Sequence, residues 1–428
     1  MQAVSTKQEL IAKTATEHAG KPLTNLHHYI NEGWLEESLN RLNRSSASGV
    51  DGTTYHEYEE EKGKKLPDLL DRFKSGKYYA PPVRRIYIEK GDGKKRPIGI
   101  PTIEDKILQC AVKMVMEPVY ESDFYDTSYG FRPGRSQHQA LERIWEEVMD
   151  NRILYILEAD IENYFGSINH SQLREMLDER IKDGVIRKQI DKWLKAGVME
   201  EEVLHYEKDG TPQGGNISPL LSNIYLYTVL DAWYEEIKGL LKGRSFLVRY
   251  ADDFVIGFEL KEDALRVMNV IFKRFAKYGL ILHPEKTRLV TLSKYDKNLP
   301  DTFDFLGFTH YMGLSRNGKR ILKRKTSKKK LRKSLKATTK WIKENRHMKI
   351  CLLFDKLNVK LRGHYNYYGI TGNSKSMGLY LHSICRYLFQ TLNRRGGKTR
   401  NWETFNSQVL VSYPLLQPKI YHSALAKP

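Results

Sequence analysis

An α+β layer, with helices on one face of an antiparallel sheet, is the fold class this sequence predicts, and three observations predict it. A short apolar run, residues 153–157 (ILYIL), ends in Glu-Ala-Asp and reads as a buried strand with Asp160 at its open end. Two further apolar runs, SFLVRY and FVIGFEL, flank Ala251-Asp252-Asp253 and read as a hairpin with the two aspartates at its tip. Helical patterns, SQLREMLDERI and EDALRVMNVIFKRFAKYGL, lie between and after these strands, which gives the order strand, helix, hairpin, helix.

The remaining elements follow in chain order. Residues 1 to about 80 read as helical from spaced apolar positions such as Leu26, Ile30, Trp34, Leu35 and Leu39, with a loop at SSASGVDGTT, 45–54. From Tyr78 the chain turns to YYAPPVRRIYIEKGDGKKRPIGIPT, where alternating Val83, Ile86 and Ile88 and a Gly-Asp-Gly turn predict a hairpin of basic strands. The stretch 103–120 has helical spacing and is expected to stop at Pro118, and SYGFRPGRS, 128–136, is a loop before the helix QHQALERIWEEVM. From Arg316 to Arg346 fifteen lysines and arginines stand against one acid, Glu344; with Leu331, Leu335, Trp341 and Ile342 at near-helical spacing, the run reads as one amphipathic basic helix. Residues 361–428 are aromatic and basic and again read as helical.

Composition narrows the function. The 428 residues carry 71 Lys plus Arg against 52 Asp plus Glu, a net charge of +19, and 40% of them are hydrophobic. Disorder throughout is excluded, and the cationic excess calls for an acidic partner. No apolar run approaches the roughly 18 residues of a membrane span, and the N-terminus has no apolar stretch of signal-peptide type, so an intracellular protein with no membrane partner is expected. Cys110, Cys351 and Cys385 are far apart and form no CxxC pair, which argues against a disulfide framework or a cysteine-rich zinc site.

The carboxylates carry the chemistry. Asp160 and the pair Asp252-Asp253 converge if their strands are neighbours in one sheet. Carboxylates so placed repel unless protonated or joined by cations, and hard oxygen ligands suit magnesium. Two such ions about 3.5–4 Å apart stabilise both the attacking and the leaving oxygen in nucleotidyl transfer. The structural alternative for an Asp-Asp dipeptide is a solvated turn.

Tyr250-Ala251-Asp252-Asp253 between apolar strands resembles the polymerase box of reverse transcriptases. The surrounding blocks resemble those of bacterial group II intron-encoded reverse transcriptase/maturases, in the same order: ASGVDGTT, PPVRRIYIEKGDGKKRPIGIPTIEDKILQ, SYGFRPGRS, EADIENYFGSINH, GTPQGGNISPLLSNIYL, YADD, GLILHPEKT and FDFLGF, followed by the maturase-like RGHYNYYGITGN. The resemblance implies a right-hand polymerase fold: N-terminal extension and fingers (1–150), palm with an antiparallel sheet (151–310), helical thumb/maturase X domain (311–385) and a short helical DNA-binding tail (386–428). It implies that Asp160, Asp252 and Asp253 are catalytic and hold two Mg2+ ions, with Asp253 in support. Phe165 would lie under the sugar of the incoming nucleotide, Lys90 and Arg96 would hold its triphosphate, and Gln213 would contact it. Lys323, Arg324, Lys328, Lys329 and Arg332 would bind RNA, while Tyr365, Tyr367 and Tyr368 either stack on unpaired bases or pack the helices.

The function so implied is an RNA-directed DNA polymerase of a group II intron that also binds intron RNA and assists its splicing and retromobility, in the bacterial cytosol. Its partners would be intron RNA, an RNA template with a DNA primer, target DNA and dNTPs, with a homodimer left open. Two alternatives stay open: an RNA-binding maturase whose polymerase centre is unused, and a host-adopted reverse transcriptase in DNA repair or defence. Gly166 and Asn169 stand where many relatives carry aspartates, and Glu89 where proline is frequent, but none of these removes a proposed ligand. The optional HNH endonuclease of the family is expected to be absent, with a nascent strand at a replication fork as the substitute primer.

Overall fold

The computed structural model describes residues 4–89, 95–200, 203–205, 209–210, 214–292, 301–315, 317–394 and 400–423. Lys90, Gln213 and Arg316 lie outside the described residues. By contacts the chain divides into two units: Met1–Gln137 with Ala159–Phe254 and Leu265–Arg288, and His138–Glu158 with Val255–Ala264 and Leu289–Pro428.

The strands in chain order are β1 (Val83–Glu89), β2 (Lys95–Ile100), β3 (Tyr155–Ala159), β4 (Val198–Glu200), β5 (Val203–His205) and β6 (Ser245–Tyr250). They continue with β7 (Asp253–Phe258), β8 (Arg288–Thr291), β9 (Thr302–Phe305), β10 (Phe308–Leu314) and β11 (Arg320–Thr326). Among the described residues three sheets result, in the orders β2-β1-β4-β5, β6-β7-β3-β8 and β11-β10-β9. The mixed α+β class agrees with the sequence reading, and β3 and the β6/β7 hairpin are neighbours as convergence of the aspartates requires.

In the first unit the N-terminal segment is helical over Val4–Glu17, Glu32–Asn40, Tyr55–Glu60 and Lys62–Lys74. The expected loop ends at Thr54, whose hydroxyl and Glu57 form a reciprocal capping box that starts the third of these helices. The helix Ile103–Glu121 runs through Pro118 instead of stopping there. Proline removes the N–H that would bond the carbonyl four residues back. That carbonyl, on Met114, accepts a 2.9 Å bond from Gln8 Nε2, so no buried acceptor is orphaned. Strands β1 and β2 pair antiparallel with Ile88 opposite Arg96, confirming the basic hairpin up to its turn.

In the second unit the expected single basic helix is two elements. Residues 320–326 form β11, paired antiparallel to β10, and the helix begins only at Lys328, with Ser327 as its cap. Leu322, Arg324 and Thr326 alternate as buried residues, a period-2 pattern concealed by the surrounding cations. The helices Lys328–Glu344, Ile350–Tyr368 and Ser374–Asn393 follow. The tail departs from the helical expectation after Ser412: Pro414 and Pro418 cannot continue a helix, and the chain returns extended to pair His422 with Ile370. The His422 ring stacks on His138 with centroids 3.4 Å apart.

Candidate active site

Asp160 directly follows β3, and its carboxylate accepts a 2.5 Å bond from Lys286 Nζ. The strand end is fixed by the segment 281–283, since Glu162 N–H donates to the Ile281 carbonyl and His283 N–H to that of Asp160. Lys286 lies in the GLILHPEKT block and was not singled out from sequence; the block itself was the available signal.

Asp252 occupies the β6/β7 turn, which Ala251 enters with a left-handed φ of 57°. Burial pushes the Asp252 carboxyl above its ordinary pKa, and the Asp160 charge pushes the same way, while its own backbone N–H, Arg96 and Arg249 oppose. The charge of Asp160 therefore reaches Asp252. A half-buried carboxylate so disfavoured is a group that a hard divalent cation would stabilise, so the donor chemistry fits such an ion. Asp253 heads β7 and is exposed; among the described residues no cluster of three or more acidic, His or Cys side chains has metal-binding geometry.

Arg96 projects from β2, exposed, and its charge reaches Asp252. Phe165 sits half-buried in the single turn Tyr164–Ser167. Its neighbour Tyr164 is fully buried and anchors that turn by donating to the Ser222 carbonyl at 2.5 Å. The Gly-rich segment is held at both described ends. Gly210 donates to the Ile168 carbonyl, and a Cβ on Gly214, at φ 126°, would fall 2.3 Å from the Gly99 carbonyl oxygen of β2. Backbone without side chains is thus required where this loop meets the strand of Arg96.

The RNA-binding candidates divide. Lys328, Lys329 and Arg332 are exposed on one helix, and Lys323 is half-buried on β11. Arg324 is corrected: only 2% exposed, its Nη1 donates to the Leu141 carbonyl at 3.1 Å, and burial lowers its pKa to about 10. It faces the core, where a phosphate has no access. The tyrosine alternative resolves toward packing for Tyr365 and Tyr368, both buried, while Tyr367 donates to the Leu306 carbonyl.

Two aspartates thus stand at the ends of strands in one sheet, beside a basic hairpin, an arrangement of the kind that suits a divalent cation and an anionic substrate. The comparisons agree. A family model described as reverse transcriptase (RNA-dependent DNA polymerase) matches residues 88–310, and the chain belongs to that family. Protein YkfC of Escherichia coli is 35% identical over 270 residues, covering 54% of this chain and 70% of YkfC. Group II intron-encoded protein LtrA of Lactococcus lactis is 40% identical over 290 residues, 66% of this chain but 47% of LtrA. A putative COX1/OXI3 intron 1 protein of Saccharomyces cerevisiae is 25% identical over 307 residues, 60% of this chain and 36% of that protein. The chain thus spans less than half the length of these two intron-encoded relatives. Membership implies RNA and other nucleic acid as substrates and, as is general for such enzymes, a divalent metal. Among the described residues no helix is long and apolar enough to cross a membrane.

Proposed function

We propose that this protein is an RNA-directed DNA polymerase of a group II intron, which also binds the intron RNA and assists its splicing and mobility in a bacterial cytosol. The observation that carries the reading is the placement of Asp160 and Asp252 at the ends of strands of one sheet in a chain of the reverse transcriptase family. Fingers (1–150), palm (151–310), thumb with maturase region (311–385) and DNA-binding tail (386–428) are the arrangement that goes with it. Asp160 and Asp252, with Asp253 in support, would hold two magnesium ions, which when bound stabilise the charge on the attacking and leaving oxygens. Arg96, with Lys90, takes the triphosphate, whose charge grows on the leaving group. Phe165 fills the space that a 2′-hydroxyl needs, and Gln213 contacts the nucleotide. Template, primer and intron RNA are held by the exposed cations of the helix Lys328–Glu344.

Extension of a DNA primer on an RNA template by the purified protein tests the reading. A folded, RNA-binding protein that extends nothing would replace it with a maturase that leaves its polymerase centre unused. Replacing Phe165 by Val should admit ribonucleotides, raising their incorporation relative to deoxynucleotides by roughly tenfold or more, on the order of 1.4 kcal/mol of lost discrimination; unchanged sugar selectivity in primer extension would remove Phe165 from this role. Changing Lys328, Lys329 and Arg332 together to Ala should flatten the slope of log affinity against log salt by about 2 to 3, at close to one counterion per contact. An unchanged slope in filter binding would place the RNA elsewhere.

A further inference from the structure

Beneath the Asp252 turn lies a polar network that the proposed chemistry does not use. Arg249 and Asp231 are both fully buried and doubly bonded: Nε donates to Oδ1 at 2.8 Å and Nη2 to Oδ2 at 2.5 Å. The remaining guanidinium nitrogen, Nη1, donates to Asn223 Oδ1 at 2.9 Å and to the Ala251 carbonyl at 3.2 Å. Asn223 in turn donates from Nδ2 to the Gly130 carbonyl at 2.8 Å. Gly130 is pressed against the same turn, for a Cβ there would lie 2.3 Å from the Ala251 nitrogen. The backbone of Arg249 completes the frame, its N–H donating to Thr127 and its carbonyl accepting from Tyr129.

Local geometry explains how the network is reached. Asp231 lies in a π-helical stretch, Tyr227–Ala232, that follows the helix Ser218–Leu226 carrying Asn223. The wider turn changes which residues face inward, and such insertions are frequent at functional sites. A buried guanidinium that ties two positions of one helical run, Asp231 and Asn223, to the carbonyl of a left-handed Ala251 is a device for fixing backbone.

We propose that Asn223, Asp231 and Arg249 are positioning residues that set the turn carrying Asp252, and through it the geometry in which that carboxylate meets a divalent cation. The inference rests on the assignment of Asp252 as a metal ligand. Asn223 is the informative position, because its removal spares the Arg249–Asp231 pair while cutting the link to Gly130 and one of the two bonds made by Nη1.

The experiment titrates manganese into the intact protein by electron paramagnetic resonance and measures primer-extension kinetics, comparing the parent with Asn223→Ala. Expected are a roughly tenfold weaker manganese affinity and a kcat lower by about 10- to 100-fold, the scale of a 1 Å misplacement, with the dNTP KM within about twofold. Parental manganese affinity overturns the proposal, whether or not kcat falls, since the network then serves stability alone. Should Asn223→Ala not fold, the double variant Arg249→Met/Asp231→Leu, which replaces the ion pair by apolar groups of similar volume, is held to the same standard. Asp252→Asn separates the two layers of argument. If that variant still polymerises, the assignment of Asp252 fails; if it does not, and the network variants bind manganese like the parent, only the present inference fails.

Discussion

Asp252→Asn is expected to abolish RNA-templated DNA synthesis, with a loss of about a thousandfold or more. The substitution keeps the size and polarity of the side chain but removes the negative charge that would hold a divalent cation. Cation-assisted stabilisation of transition-state charge is worth several kcal/mol, and about 4 kcal/mol corresponds to a thousandfold in rate. Folding should not suffer. Burial and the Asp160 charge both oppose ionisation of Asp252 in the metal-free protein, so a neutral amide relieves a cost. Single-turnover extension beside a melting curve is the measurement: a variant that melts no lower than the parent and extends nothing meets the expectation, and one that extends at more than a tenth of the parental rate defeats it.

The second large effect is on stability. Arg249→Met alone should destabilise the protein by about 3–5 kcal/mol, the cost of leaving one member of a buried ion pair uncompensated. Asp231 has no solvent exposure, and burial already raises its carboxyl pKa although Arg249 draws it down. Without the guanidinium the raised value climbs further. A carboxyl whose folded pKa exceeds its unfolded value binds more protons when folded, so the deficit is full above the raised folded pKa, shrinks as pH falls below it and is gone once pH drops below the unfolded pKa. Urea unfolding at two pH values reads both the size and the sign. A midpoint equal to that of the parent at neutral pH, or a deficit that grows with acid, would contradict the account.

Sequence made the ends of β3 and of the β6/β7 hairpin readable because their apolar runs are short, flanked by turns and terminated by carboxylates. Asp160 and Asp252 follow from that pattern alone, without knowing what they bind. Other features depended on contacts between distant residues, which spacing cannot display. The continuation past Pro118 needs Gln8, more than a hundred positions away, and the burial of Arg324 needs Leu141. Lysines and arginines read as surface by default, so a strand with Lys323 and Lys325 beside buried Arg324 passed for the first turns of a helix. Arg249 was missed for a related reason. In SFLVRY it is one cation inside an apolar strand, and only its fully buried partner Asp231, in a π-helical turn, reveals what it does.

The stacking of His138 on His422 sets a timetable for biosynthesis. At about 5–20 residues per second, the ribosome delivers the second ring on the order of tens of seconds after the first. Throughout that interval the helix Gln137–Asp150 is already made, but its partners from the C-terminal return are not. The second unit, drawn from three separated stretches of chain, therefore closes late in translation, and the apolar surfaces of its early stretches stay open to a nascent-chain chaperone until the last stretch arrives.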